Sequence, residues 1–199
     1  MSEDGVDLRR RRFLTATTAV VGGIGGAFAA VPFVSSLLPS EKAKALGAPV
    51  QIDVSKIEPG MLHRSEWRGK LIMVVRRTPE NLKALADLED KLADPESNRE
   101  SQQPGYAKNR SRAIKDEYLV MVGLCTHLGC APTYRPEVAP DDLGPDWKGG
   151  FYCPCHGSRF DLAGRVYKSV PAPSNMVIPP YRYLTDTLIE VGTDPEGAA

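Results

Sequence analysis

A chain of 199 residues with 42% hydrophobic and 25% charged side chains can bury one core of ordinary size. The 25 basic and 25 acidic residues cancel, so the net charge gives no case for nucleic-acid binding. The 17 prolines and 18 glycines favour loops and short strands over a helical bundle.

The N-terminal segment joins a basic flank to a long apolar run. Residues 9–12 are four arginines, and residues 13–38 carry no charged side chain. Such a run can cross roughly 30 Å of hydrocarbon as one helix, and a basic flank stays on the cytoplasmic side. The pattern predicts a cytoplasmic N-terminus at 1–12, a transmembrane anchor at 13–38 in the lipid of a bacterial inner membrane, and a periplasmic remainder.

The basic flank also resembles a twin-arginine export signal, with the best match at Arg10, Arg11, Phe13 and Leu14. A signal peptide that is cleaved after export is the competing interpretation, because Ala-Lys-Ala at 43–45 has the small residues of a cleavage site. The apolar run is longer than a signal core and ends several residues before these alanines. Its length therefore favours a retained anchor.

A tether and a mainly β domain follow the apolar run. Residues 39–49 are small, polar and bracketed by prolines, which predicts a linker or hinge. The periodicity from 50 to 199 predicts a mainly β domain. Its strands are expected at 51–54, 61–67, 71–75, 118–124 and between 179 and 191.

One helical insertion interrupts the predicted strands. Thr78 and Pro79 are the residue types of a helix N-cap and of a first helical position. An apolar stripe follows and predicts a core-packed helix that ends near Ala93. The stripe consists of Leu82, Leu85, Leu88 and Leu92. Residues 94–112 are polar and irregular, which predicts a long loop or surface excursion.

All four cysteines and two of the three histidines lie in two short boxes. The boxes are Cys125-Thr-His127-Leu-Gly-Cys130 and Cys153-Pro-Cys155-His156-Gly-Ser158. A structural zinc site would use two cysteines and two histidines, but it leaves two cysteines over, and the first box lacks the usual spacing. Two disulfides in an oxidising compartment would leave both histidines without a role.

The two boxes resemble those of Rieske [2Fe–2S] proteins, with a match at every position. The resemblance implies an antiparallel β-sandwich or barrel with a small cluster-binding subdomain at about 123–175. The ligands that it implies are Cys125 and Cys153 for one iron and His127 and His156 for the other. It also implies a disulfide between Cys130 and Cys155. Two neutral imidazoles in place of two thiolates reduce the negative charge of the cluster, so an added electron meets less repulsion. The reduction potentials of Rieske centres accordingly span roughly −150 to +300 mV, against about −400 mV for plant-type clusters.

Further features resemble the iron–sulfur subunit of the cytochrome bc1 complex, ubiquinol–cytochrome c reductase. They are the anchor, the hinge, the turn at Trp67–Lys70, the insertion and Pro171-Ala172-Pro173, which resembles a proline loop that covers the cluster. The resemblance implies a subunit of a dimeric oxidoreductase, not catalytic alone, that takes an electron and a proton from ubiquinol at cytochrome b and supplies cytochrome c1. The Rieske subunit of arsenite oxidase and a stand-alone electron carrier are the alternatives.

The same resemblance implies roles for single residues. His156 would meet the quinol, and Leu128 and Gly129 would form part of the docking tip. Ser158 would donate its hydroxyl to a cluster sulfide. Phe160 departs from the mitochondrial pattern, in which a tyrosine commonly donates to a ligand cysteine sulfur; this predicts a lower potential than in tyrosine-containing relatives.

One histidine lies outside the boxes. His63 falls on a predicted strand and is expected to be an ordinary surface or strand residue.

Overall fold

A computed structural model describes Gly5 and residues 7–194 of the chain. Residues 1–4, 6 and 195–199, which belong to the predicted N-terminal segment and to the end of the predicted β domain, lie outside the described residues. The chain divides into two compact units after Ala45. The second unit is called the head below.

The first unit contains helix α1 (Leu8–Ser35) and most of the short helix α2 (Glu41–Gly47). Asp7 caps α1, because its carboxylate accepts the backbone N–H groups of Arg9 and Arg10 at 2.9 and 3.3 Å. The helix therefore begins before the predicted apolar run and includes the arginines. Its 28 residues extend about 42 Å at ~1.5 Å each, and it is long and apolar enough to cross a membrane.

The described part of the head contains nine short strands in three antiparallel sheets, ordered β1-β9-β8, β2-β3-β4 and β5-β6-β7. The strands are β1 (Val50–Asp53), β2 (Leu62–Trp67), β3 (Lys70–Arg76), β4 (Tyr118–Val122), β5 (Thr133–Arg135), β6 (Gly150–Cys153), β7 (Ser158–Phe160), β8 (Tyr181–Tyr183) and β9 (Leu188–Val191). The prediction of a mainly β, antiparallel fold is confirmed.

The hairpin of β2 and β3 brings the most apolar strand into the core. Trp67 pairs with Lys70 across a two-residue turn in which Arg68 and Gly69 have φ of 53° and 69°. Positive φ at both positions is typical of the type I′ turn, whose twist matches that of the strands. The residues 72–75 that follow are all buried, as are all five residues of β4 beside them.

Helix α3 (Pro79–Asp87) begins as predicted. The Thr78 hydroxyl accepts the N–H of Asn81 at 3.3 Å, and the Asn81 side chain accepts the N–H of Thr78 at 3.0 Å. This reciprocal capping box satisfies two backbone donors at the start of the helix. The apolar stripe packs in the interior, with Leu85, Leu88 and Leu92 each 2% exposed or less.

The predicted end of α3 near Ala93 is wrong. The helix ends at Asp87 and a 3₁₀ turn follows at Glu89–Lys91. Ala93 then donates its backbone N–H to Val166 O at 2.9 Å. This bond to a distant segment holds the chain extended near Leu92, whereas the leucine stripe alone predicts that the helix continues.

The prediction of a surface excursion at 94–112 is also wrong in part. The segment contains 3₁₀ turns at Glu100–Gln102 and Gly105–Ala107. Its polar side chains Ser97, Gln103 and Arg112 are 0%, 7% and 0% exposed. They are buried because the segment packs against residues 161–178; for example, Ile178 donates its N–H to Gln102 O at 2.8 Å.

Candidate metal centre

The first box is a tight loop after β4. Gly123 donates its N–H to Leu71 O at 2.8 Å, and close contact with the side chains of β3 leaves no room for a side chain at Gly123. Two backbone bonds close the loop: Cys125 N–H donates to Cys130 O at 2.7 Å, and Gly129 N–H donates to Cys125 O at 2.9 Å. The loop thereby brings both ends of the box together.

The second box is the hairpin between β6 and β7. Cys153 and Ser158 form the last pair of the two strands, and Gly157 N–H donates to Cys153 O at 2.9 Å. Gly157 has φ of 76°, a conformation that favours glycine. The turn exposes Cys155 and His156 at its tip and keeps Cys153 buried at its base.

A disulfide between Cys130 and Cys155 joins the two boxes, which confirms the predicted pairing. The Cα atoms of these residues are 6.8 Å apart, and 25 positions separate them in sequence. The sulfur atom of Cys153 is close by, because the three sulfurs of Cys130, Cys153 and Cys155 all lie within 4.8 Å of one another. The two remaining cysteines, Cys125 and Cys153, are buried free thiols.

Two imidazole rings accompany these thiols. The ring centroids of His127 and His156 are 4.8 Å apart, and the ring planes meet at 88°. His127 is half-buried and His156 is exposed, whereas Cys125 and Cys153 are 3% and 2% exposed. The four predicted ligands thus comprise two buried sulfurs and two more exposed rings. His63 is exposed on β2, as expected.

The surroundings of the two free thiols favour binding of a metal cation. Burial raises the pKa of the Cys125 thiol, while hydrogen bonds from the His127 backbone and the Ser158 hydroxyl oppose that shift. Cys125 also lies within hydrogen-bond reach of Cys153. Two adjacent buried thiols lose their protons readily beside a positive charge, which a bound metal supplies. The donor set fits either a zinc ion or a mixed-ligand [2Fe–2S] cluster.

The loop at 171–174 is hydrogen-bonded to both boxes. Ala172 N–H donates to Ser158 Oγ at 3.1 Å, and the Thr126 hydroxyl donates to Ser174 O at 2.6 Å. The loop is therefore adjacent to both boxes, and its covering of the cluster stays a prediction. Thr126 was not among the predicted site residues, and its place between two predicted ligands was the signal that could have found it.

The other predicted site residues differ in exposure. Leu128 is 71% exposed, and Gly129 and Pro171 are exposed as well. Phe160 is fully buried on β7, where it pairs with Phe151 of β6. The first three are therefore accessible at the surface, while Phe160 lies inside the head.

Similarity to known families distinguishes the two kinds of centre. Residues 102–182 match the family described as "Rieske [2Fe-2S] domain", and residues 1–40 match "Ubiquitinol-cytochrome C reductase Fe-S subunit TAT signal". The ubiquinol-cytochrome c reductase iron-sulfur subunit of Allochromatium vinosum is 61% identical over 194 residues, which cover 98% of this chain and 93% of the relative. The chain belongs to the family of ubiquinol–cytochrome c reductase iron–sulfur subunits.

Two further similarities agree with this family. Its member from Blastochloris viridis is 39% identical over 193 residues, covering 96% of this chain and 97% of the relative. A chain of a solved structure titled "Hyperthermophilic respiratory Complex III" has a TM-score of 0.51 and 28% identity, covering 88% of this chain and 98% of that one. The cofactor is therefore a Rieske [2Fe–2S] cluster rather than zinc. The family also disfavours an arsenite oxidase subunit and a stand-alone carrier.

Proposed function

We propose that the chain is the electron-transfer subunit of a dimeric cytochrome bc1 complex. It accepts an electron and a proton from ubiquinol at cytochrome b and passes the electron to cytochrome c1. The observation that carries the proposal is the exposed imidazole of His156, held by a disulfide-braced turn above buried thiols. The chain completes no turnover alone, because both partner sites belong to other subunits.

The ligand assignment is part of the proposal. Cys125 and Cys153 hold one iron, and His127 and His156 hold the other. The burial of both thiols and the 4.8 Å separation of the ring centroids support this assignment. Consumption of the other two cysteines in a disulfide also supports it, because a disulfide sulfur is not a thiolate ligand.

Residues of this chain would contact the quinol and take up its proton. The cluster supplies a one-electron acceptor of high potential when bound. His156 is exposed and has two ring nitrogens, so the one that does not bind iron would be available to hydrogen-bond the quinol and take up its proton. The exposed side chain of Leu128, which follows His127 in the first box, provides apolar surface for docking.

The membrane arrangement is also proposed. Residues 1–12 are cytoplasmic, 13–38 form the anchor, 39–49 form the hinge, and 50–199 form the periplasmic domain. The four arginines before the apolar part of α1 support this orientation, because basic flanks are retained inside. The match of residues 1–40 to a reductase export-signal family supports the route of export.

Low-temperature EPR of membranes that contain the full chain tests the function. The membranes are reduced with ascorbate and then with dithionite. We expect a Rieske-type signal that is complete with ascorbate, because a centre that oxidises quinol has a high potential. A signal that appears only with dithionite would contradict quinol oxidation.

Two histidine variants test the ligand assignment in the same membranes. His156→Gln is expected to abolish the signal, because an iron loses its ligand. His63→Gln is the matched control, because His63 is an exposed histidine of the same head outside the boxes, and its signal should equal that of the unmodified chain. An unchanged signal from His156→Gln would contradict the assignment.

A further inference from the structure

Four charged side chains are buried in the described part of the head. They are Arg77, Arg112, Arg165 and Asp161, each 2% exposed or less. Three are cations and one is an anion, so the interior carries an excess of positive charge. Buried charge is costly unless it is paired, and this excess needs an explanation.

The Asp161 carboxylate forms an ion pair with one of the three guanidinium groups, that of Arg165. Asp161 Oδ2 accepts a hydrogen bond from Arg165 Nε at 2.7 Å. Asp161 Oδ1 accepts the backbone N–H groups of Ala163 and Arg165 at 2.9 and 2.8 Å. This pair is neutral, so the positive excess resides on Arg77 and Arg112.

Arg112 is held by uncharged oxygen atoms. Its Nη1 donates to the carbonyls of Ala163 and Gly164, each at 3.3 Å. Its Nη2 donates to Gln102 O at 3.2 Å and to Gln103 Oε1 at 3.0 Å. These four acceptors bind the two terminal nitrogens without neutralising the charge, and Nε is buried without a hydrogen-bond partner among the described residues.

Arg77 is held in the same way. Its Nη1 donates to Ser111 O at 2.7 Å and to Leu162 O at 3.1 Å, and its Nε donates to the backbone carbonyl of Asp116 at 2.8 Å. The carboxylates of Asp116 and Asp94 also attract these cations, but Asp116 is exposed and Asp94 is half-exposed. Water and salt screen such exposed charges much more than buried ones.

Both guanidinium groups keep their charge at neutral pH. Burial lowers the pKa of Arg77 and of Arg112 to about 10, and the nearby Asp161 carboxylate opposes the shift. A group with a pKa of about 10 is almost entirely protonated at pH 7.

The two cations hydrogen-bond the segment that follows β7, the strand on which the second box ends. They bind carbonyls of residues 162–164, which directly follow β7. That strand begins at Ser158, beside the centre, and its three residues span roughly 10 Å at ~3.3 Å each. Phe160 at its end is fully buried, as are Arg77 and Arg112, so water screens the charge of these cations less than it screens exposed charge.

We propose that Arg77 and Arg112 raise the reduction potential of the centre by placing unneutralised positive charge behind it. An added electron is attracted by these cations, so the reduced state is stabilised more than the oxidised state. The inference rests on the proposed function, because it takes the two boxes as the place where the electron is received.

The test is a redox titration of the EPR signal in membranes that contain the full chain. Arg112→Met removes the charge and keeps a long side chain, whereas Arg112→Lys keeps the charge and loses the guanidinium hydrogen bonds. We expect Arg112→Met to lower the reduced-to-oxidised ratio at a fixed potential about three- to tenfold, which is roughly 30–60 mV at ~59 mV per tenfold. Arg112→Lys should stay within about twofold of the unmodified chain, because its charge is retained.

A third variant is expected to shift the potential in the opposite direction. Asp161→Asn leaves Arg165 without its counter-charge, so the potential should rise. Unchanged signal positions in all variants would show that the ligands are intact. A structural disturbance would shift Arg112→Met and Arg112→Lys alike, and that result would overturn the inference, as would a lower potential in Asp161→Asn.

A second pair of variants is used if Arg112→Met loses the EPR signal and cannot be titrated. Arg77→Met and Arg77→Lys are then titrated, with the same expected difference between the neutral and the charged side chain. Loss of the signal from both Met and both Lys variants would show that the arginines retain the cluster rather than tune it, and would overturn the inference. Absence of the signal from the unmodified chain would instead contradict the proposed function.

Discussion

The hydroxyl oxygen of Ser158 accepts the backbone N–H of Ala172 at 3.1 Å, and both residues are buried. The oxygen thus acts as an acceptor in this bond, and the hydroxyl proton remains available for donation to another atom. The sulfur of Cys125 lies within its reach. The loop at 171–174 therefore helps to orient the Ser158 hydroxyl toward the sulfur of Cys125.

Ser158→Ala is expected to lower the reduction potential. Reduction adds negative charge to the centre, so a donor to sulfur stabilises the reduced state more. One hydrogen bond is worth about 1 kcal/mol, which is roughly 40 mV for a one-electron couple. A redox titration measures the shift, and Ser101→Ala, which alters an exposed serine of the same head, is the control. Equal potentials in both variants would contradict the donor role.

Phe160→Tyr is expected to raise the potential. A phenylalanine cannot donate a hydrogen bond to a ligand sulfur, and a tyrosine at this position can; the gain is again about 40 mV for one bond. Phe151→Tyr is a matched control, because Phe151 is equally buried and pairs with Phe160 on the neighbouring strand. A titration without an upward shift in Phe160→Tyr would count against this prediction.

Thr126→Val is expected to weaken the attachment of the loop at 171–174. The variant keeps the shape of the side chain but removes the donor to Ser174 O, at a cost of about 1–3 kcal/mol when the carbonyl stays unpaired. The EPR signal should disappear at a lower temperature on heating. Thr133→Val, at an exposed threonine on β5, should match the unmodified chain. Identical heating curves for the two variants would contradict the prediction.

Removal of iron is expected to rearrange the disulfide. The sulfur of Cys153 lies within 4.8 Å of both sulfurs of the Cys130–Cys155 bond. Once free, its thiolate attacks one of them, forms a new S–S bond and releases the other as a thiolate, which takes up a proton; no oxidant is needed. Disulfide mapping of the iron-depleted full chain by mass spectrometry should find Cys153 joined to Cys130 or Cys155.

Cys125→Ser is a second test of this rearrangement, with Cys153→Ser as its matched control, because Cys125→Ser removes a predicted iron ligand but leaves Cys153 in place. It should rearrange without any depletion step. Cys153→Ser should keep only the Cys130–Cys155 bond. If iron-depleted chains retain that bond alone, the attack does not occur.

The sequence was informative where contacts are local. Thr78 and Pro79 predicted the start of α3 from neighbouring residues, whereas the Cys130–Cys155 pair, 25 positions apart, was implied only by the resemblance of the two boxes to Rieske proteins. The end of that helix could not be predicted, because it depends on a bond between Ala93 and Val166, which are far apart in sequence.

The buried polar residues show the same limitation. Arg112 was expected in a polar surface loop, because an arginine is usually exposed. It is buried because carbonyls of residues 163 and 164 accept its hydrogen bonds. No periodic pattern in the sequence indicates which distant carbonyls will be available, so neither the burial nor the excess charge could be predicted.

The pairing of β1 with β9 constrains when the head can be completed. Val50 lies opposite Val191, so the first strand of the head cannot form this pairing until β9 has left the ribosome. An intermediate that stops short of β9 exposes an unpaired strand edge, which is a hazard for aggregation. If the head is exported as proposed, transport after folding would keep that intermediate out of the membrane, and the match of residues 1–40 to a TAT-signal family supports this order of events.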